Sequence, residues 1–224
     1  MVPKISLLSS LLPIIFFILC CSKTHIKGFW VIFFYSIASF ISDGFLANSG
    51  WAAEHKFFLW NIFTLVEYSL LSYFFYLTIK LRIIRLAIVV ISIIYFILFL
   101  SLNKTIHDQF NSFLSFFSQV VILALCLIYF ISRMKQPVED SIDIFNPEFI
   151  IVIALLLYVA CTLFLFIIAN HLSVKEMNDY WIITNYSNIL TNILFSTAFI
   201  LYRSQNKKPT PESHTVDFTS SNER

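Results

Sequence analysis

The chain has 224 residues, of which 58% are hydrophobic and only 12% are charged, and its mean hydropathy is +0.81. Soluble domains carry roughly 25% charged residues, so this composition argues against a water-soluble globular protein and predicts a membrane protein. The formal net charge of +2 is too small to indicate a nucleic-acid partner.

Seven apolar runs follow one another, each near the roughly 20 residues that a helix needs to cross a membrane. They cover residues 5–21, 29–47, 57–79, 83–102, 110–131, 149–169 and 180–202. No run alternates apolar and polar residues, and backbone groups in lipid must be hydrogen-bonded within the protein. The sequence therefore predicts an all-α fold, with a seven-helix transmembrane domain at 1–203 and a disordered cytoplasmic tail at 204–224.

Lysine and arginine fall unevenly on the two sides of these runs. Four lie on the side of the N-terminus and eleven on the other side. Cytoplasmic loops carry the excess of positive charge. This predicts a multi-pass protein of the cell's inner membrane, with the N-terminus outside and the C-terminus in the cytoplasm.

The first run has a second interpretation. Lys4, the apolar stretch and the pair Cys20 and Cys21 faintly resemble a lipoprotein signal, which would be cleaved. Leu19 is a poor residue before a modified cysteine, and the basic segment 23–27 would then be exported. We therefore expect residues 1–21 to be retained as the first span.

Glu67 is the most informative polar residue. It lies about ten residues into the third run, which is roughly 15 Å along a helix that rises 1.5 Å per residue. A charged carboxylate at that depth costs roughly 2.5–3.5 kcal/mol on insertion scales, so Glu67 is a candidate functional group. Asp43, on the second run, is placed nearer the outer surface and is predicted to be interfacial.

Polar residues on the seventh run recur at steps of three and four, which places them on one stripe of a helix. We expect this stripe to face the bundle, with Asn188 and Asn192 at the depth of Glu67. Tyr158 and Thr162 are further candidates on the sixth run. The predicted polar pocket consists of Glu67, Asn61, Thr64, Gln119, Asn185, Asn188 and Asn192. The alternative is that these side chains join helices, each bond contributing about 0.6 kcal/mol.

Motifs for catalysis, metals and cofactors are not found in the sequence. It contains no HExxH, no GxSxG and no phosphate-binding glycine loop, and the seventh run has no lysine for a retinal Schiff base. His55 and His171 are predicted at the outer face, but two histidines do not make a metal site. The four cysteines form no CxxC pair and are typical of buried apolar side chains. We expect no enzyme, no cofactor and no bound metal.

Three stretches, 59–68, 157–170 and 181–194, together resemble a family of uncharacterised integral membrane proteins of Bacteroidetes of about this length. In that family the third span reads N-x-Y-T-L-I-E-F and the seventh reads W-x-I-H-x-x-x-N-I-x-x-N. Asn61, Thr64, Glu67, Asn188 and Asn192 match these patterns, whereas Phe63 replaces the tyrosine and Asn185 replaces the histidine. The family has no assigned activity, so the resemblance implies the seven-helix topology and the choice of polar residues.

From this architecture we expect a sensor-like or receptor-like module in the lipid bilayer, with an outward-opening polar pocket for a small molecule. The mixed-charge loop at 132–147 is either a solvated surface or a docking surface for a cytoplasmic signalling protein. Fold alone does not determine function. Two alternatives stay open: a small proton- or cation-coupled transporter or channel, and a non-catalytic membrane assembly subunit.

Overall fold

The computed structural model describes residues 2–21, 24, 26–48, 56–103, 112–134, 146–168 and 174–207. Within these ranges all regular structure is α-helical, which confirms the predicted all-α class for the described part of the chain. The helices are α1 (Val2–Ser9), α2 (Leu11–Cys21), α3 (Lys27–Asn48), α4 (Lys56–Thr78), α5 (Arg82–Asn103), α6 (Ser112–Met134), α7 (Pro147–Ile168) and α8 (Val174–Lys207).

The first two helices form one interrupted helix. The backbone N–H of Ser10 still donates to the Ser6 carbonyl at 3.3 Å, which is the helical spacing of four residues. Pro13 has no N–H to donate to the Ser9 carbonyl, and its ring crowds that carbonyl, so the helix is disturbed there. The remaining breaks separate helices that correspond one to one with the predicted apolar runs.

Among the described residues, four helices are long and apolar enough to cross a membrane. They are Phe58–Thr78, Arg82–Leu102, Phe113–Met134 and Pro147–Phe164, and Ile5–Cys21 is a shorter apolar helix. The predicted boundaries agree with the observed ones to within about one helical turn, except for α8.

Helix α8 begins before the predicted seventh run and continues to Lys207, past residue 204, the predicted start of the tail. At 34 residues it is about 51 Å long, well beyond the roughly 30 Å of a bilayer core. Residues 203–207 contain no glycine or proline, and the first proline after them is Pro209. The C-terminal end of this helix was therefore predicted too early. The rest of the predicted tail and residues 135–145 of the predicted loop lie outside the described residues.

Six helical units close into a ring. The interrupted first helix packs against α3 and α8, α3 packs against α4, α4 against α6, α6 against α7, and α7 against α8. Helix α5 lies outside this ring and contacts α4 and α6. Its outward face carries large apolar residues such as Ile83, Leu86 and Ile97, all exposed, as a surface in contact with lipid requires.

One end of the bundle is packed mainly with apolar side chains. We call this end the apolar half; there α2, α4, α6 and α8 end and α3, α5 and α7 begin. The Phe199 ring makes edge-to-face contacts with Phe17 at 5.4 Å and with Phe29 at 5.8 Å. The buried residues of this half include Phe17, Phe29, Ile32, Phe74, Phe75, Ile79, Ile122, Ile151, Leu155, Phe195 and Phe199.

The opposite end, which we call the polar half, is built differently. Its buried side chains are largely hydroxyls and amides. They include Ser6, Ser9, Ser10, Asn61, Thr64, Ser115, Gln119, Thr162, Thr191 and Asn192. The ring of helices is therefore closed by aromatic packing at one end and lined by hydrogen-bonding groups at the other.

Arginines stabilise the rim of the apolar half. Arg85 donates to the Ile79 carbonyl at 2.7 Å and Arg203 donates to the Leu19 carbonyl at 3.0 Å. Arg133 forms an ion pair with Glu148 at 3.5 Å. Basic residues at helix ends are typical of a membrane–water interface, so this rim fits the boundary of a bilayer.

Candidate functional site

The candidate site starts from one face of α4. Asn61, Thr64 and Glu67 follow one another at steps of three, so their side chains lie along one side of the helix. All three are buried, and only 5% of the Glu67 side chain is exposed. Glu67 lies midway along α4, at the boundary between the polar half and the apolar half.

The Glu67 carboxylate is held by tyrosines from two other helices. The hydroxyl of Tyr35, on α3, donates to Oε1 of Glu67 at 3.2 Å. The hydroxyl of Tyr158, on α7, also interacts with the Glu67 carboxylate and with the Tyr35 hydroxyl. Because α3, α4 and α7 occupy different positions around the ring, this contact lies in its interior. We call these three residues the Glu67 cluster.

No lysine or arginine pairs with Glu67 among the described residues. Two neutral hydroxyls satisfy part of the hydrogen-bonding capacity of a carboxylate without neutralising its charge. The ionised form of an acid in this setting is costly. The cost is removed when the carboxylate takes up a proton, and it is reduced when a cation or water binds to it. The Glu67 carboxyl is therefore a candidate group for holding a proton, a cation or a water molecule.

A second acid lies close to the cluster. Asp43, two turns beyond Tyr35 on α3, interacts electrostatically with Glu67, Tyr35 and Tyr158. Its side chain is only partly buried, and none of its neighbours from residue 37 to 44 on the same helix is fully buried. Asp43 thus places a negative charge between the cluster and the end of the polar half, where the sequence predicted an interfacial residue.

The predicted asparagine stripe is divided among different surroundings. Asn192 is buried and donates from Nδ2 to the Ser9 hydroxyl of α1 at 3.0 Å. Asn185 and Asn188 are partly buried, and within the described part of the chain neither forms a hydrogen bond with Glu67. The nearest polar partners of Glu67 are therefore tyrosines, whereas the sequence pattern had indicated amides of the seventh span.

The fifth predicted span contributes a different environment. Gln119 is buried, and no described residue provides a hydrogen-bond partner for its Oε1 atom. Asn61 has a polar contact of its own. Of the residues that the sequence predicted for the polar pocket, Glu67 is the one that contacts Tyr35 and Tyr158.

Sequence reasoning identified Tyr158 as a contributor and missed Tyr35. A signal was present, because Tyr35, Ser39 and Asp43 follow at steps of four and therefore share one face of α3. Tyrosine is amphipathic and common in apolar runs, so by itself it did not stand out. The periodicity shared with Asp43 would have indicated it.

No family model, curated protein or solved structure matches the chain. The resemblance to the Bacteroidetes membrane proteins therefore stays a prediction.

The five histidines, including His55 and His171, lie outside the described residues. Within those residues, no three His, Cys, Asp or Glu side chains gather in a way that could hold a metal ion.

Proposed function

We propose that this chain is a seven-span protein of the inner membrane, with an external N-terminus and a cytoplasmic C-terminus. The first helix and α8 run in the same direction, because Asn192 contacts Ser9 and Arg203 contacts Leu19. First and last spans that are parallel fit an odd number of crossings. The arginine rim of the apolar half fits the cytoplasmic side.

Within that topology the proposed role is a sensor-like or receptor-like module. The Glu67 cluster recognises a small cationic molecule that enters from outside through the polar half and passes Asp43. The observation that carries this proposal is the buried Glu67 carboxylate, bonded to Tyr35 without a basic partner among the described residues. The packed apolar half argues against a continuous pore, and the cytoplasmic loops are the proposed surface for a signalling protein.

Thermal unfolding of the purified protein in nanodiscs tests this role. Sodium, potassium and methylammonium ions serve as probes, with choline as the larger cation. A ligand at 100 times its Kd stabilises the folded state by about 2.7 kcal/mol. We expect one of these cations to raise the Tm of the wild type and to have no effect on Glu67→Gln.

The matched control is Tyr73→Phe, which removes a tyrosine hydroxyl at a side chain that is 48% exposed, on the same helix as Glu67. It should respond as the wild type does. Equal stabilisation of the wild type and Glu67→Gln would contradict recognition by this carboxylate.

A small proton- or cation-coupled transporter is the second candidate. It is favoured by a second acid, Asp43, which interacts electrostatically with Glu67 and lies two turns along α3 from the contact between Tyr35 and Glu67. Proton uptake into liposomes, followed with an internal pH dye, should then be lost in Glu67→Gln and reduced in Asp43→Asn. If Glu67→Gln changes only thermal stability and no cation response or uptake exists, the assembly-subunit alternative is favoured.

A further inference from the structure

Helix α4 presents a second polar face, separate from that of Glu67. Consecutive helical residues point about 100° apart, since a turn contains 3.6 residues. Tyr68 therefore points away from the Glu67 cluster, and its ring packs on that of Tyr95, from α5, with centroids 4.1 Å apart. The Tyr68 and Ser92 hydroxyls are joined at 3.4 Å.

The same junction includes α6. The Tyr95 hydroxyl lies near that of Ser118, and the two interact, but their positions fall outside the geometry of a direct hydrogen bond. The proton of the Ser118 hydroxyl is already donated to the Ser115 carbonyl at 2.8 Å. Because α4, α5 and α6 contact one another in pairs, these hydroxyls meet at one three-helix junction. We call this set the polar strip: Ser72 and Tyr68 of α4, Ser92 and Tyr95 of α5, and Ser118 of α6.

Two hydroxyls of the polar strip are buried without a protein partner. Among the described residues, neither the Tyr95 hydroxyl nor the Ser72 hydroxyl has a hydrogen-bond partner. Tyr95 is 0% exposed and Ser72 is 3% exposed. The Oε1 atom of Gln119, next to Ser118 in the chain, also has no hydrogen-bond partner among the described residues. Buried polar groups in folded proteins are almost always paired with protein or with ordered water.

We propose that ordered water molecules occupy the polar strip, bound by Tyr95 and Ser72. A water between Tyr95 and Ser118 accepts the phenolic proton and donates to the Ser118 oxygen, which satisfies both groups. Internal waters of this kind bridge otherwise unpaired polar groups in protein interiors and between transmembrane helices. The strip borders the Glu67 cluster, since Tyr95 interacts electrostatically with Glu67. This hydration does not depend on the proposed sensor role.

Removing the hydroxyls tests the proposal through the sign of the change in thermal stability. If water is bound, Tyr95→Phe and Ser72→Ala each lose a hydrogen bond, and the Tm of the full chain in nanodiscs falls by roughly 2–4 °C. If the strip is dry, each substitution removes an unpaired buried hydroxyl and the Tm stays the same or rises. Tyr68→Phe, which loses the bond to Ser92, is the control that should lower the Tm in either case.

A second measurement on the wild type avoids any folding defect of the variants. Hydroxyl radicals generated from bound water label nearby side chains even when these are inaccessible to bulk solvent. After normalisation for the different intrinsic reactivities of tyrosine and phenylalanine, Tyr95 should therefore be oxidised more than Phe74 and Phe195, which are equally buried at 0% exposure. Labelling of Tyr95 at the level of these two phenylalanines would overturn the proposal, whatever the Tm values of the variants.

Discussion

The two halves of the bundle differ in the side chains that fill the ring of helices. In the apolar half, aromatic rings such as Phe17, Phe29 and Phe199 meet edge to face. In the polar half, buried amides and hydroxyls take their place, and Glu67 lies at the boundary. Apolar side chains would fill both halves at a lower cost in free energy, because polar groups buried between lipid-embedded helices contribute little to stability. This difference predicts that the aromatic packing of the apolar half contributes most of the stability of the bundle.

The largest expected effect is a cavity in the apolar half. Phe199→Ala removes a ring that is 0% exposed and contacts two other rings. Such truncations cost roughly 3–5 kcal/mol in unfolding free energy. Phe96→Ala on α5 is the matched control, because that side chain is 50% exposed and faces outward. Denaturation in mixed detergent micelles should separate the two variants. Similar losses for both would mean that the apolar half is not the stabilising core.

The second-largest expected effect is the coupling energy between Tyr35 and Glu67, at the boundary between the two halves. A hydrogen bond to a charged group is worth about 1.5–3 kcal/mol. A double-mutant cycle of Tyr35→Phe and Glu67→Met, which removes the acceptor, should therefore show a coupling energy of that order, measured by the same denaturation method.

A pair that makes no contact gives the baseline for this cycle. Tyr73→Phe combined with Glu67→Met should show additive changes, since Tyr73 is half exposed. Additivity within about 0.3–0.5 kcal/mol for Tyr35 and Glu67 as well would show that their bond contributes nothing measurable.

Most of the fold could be predicted from the sequence because the dominant physical constraint is simple. A membrane-crossing helix must be long and apolar, and this signal identified the run 83–102 and helix α5, Arg82–Asn103, almost to the residue. Helix α8 was harder, because its ends leave the apolar run and only the first proline, Pro209, limits it in sequence. Helix ends outside lipid are determined by local propensity, which is a weaker signal.

The candidate site was predictable in part. The cost of a buried carboxylate indicated Glu67, and the stripe at steps of three and four indicated that Asn192 faces the interior. The partner of each was not predictable, since periodicity gives the face of a helix but not the helix opposite. Glu67 is bonded to Tyr35 and Asn192 to Ser9, and neither pairing is encoded locally in the sequence.

The smallest expected effect decides whether the asparagine stripe belongs to the site or to the packing of helices. Interhelical hydrogen bonds in membranes average about 0.6 kcal/mol, and Ser9→Ala with Asn192→Ala should show a coupling of that size. Thr197→Val, an exposed position on the same helix, is the control. If Asn192 only joins α8 to α1, Asn192→Ala retains the cation response attributed to Glu67, with a slightly lower Tm. If that response is lost while the Tm is unchanged, Asn192 acts on the ligand, and the recognition site extends from Glu67 to α8.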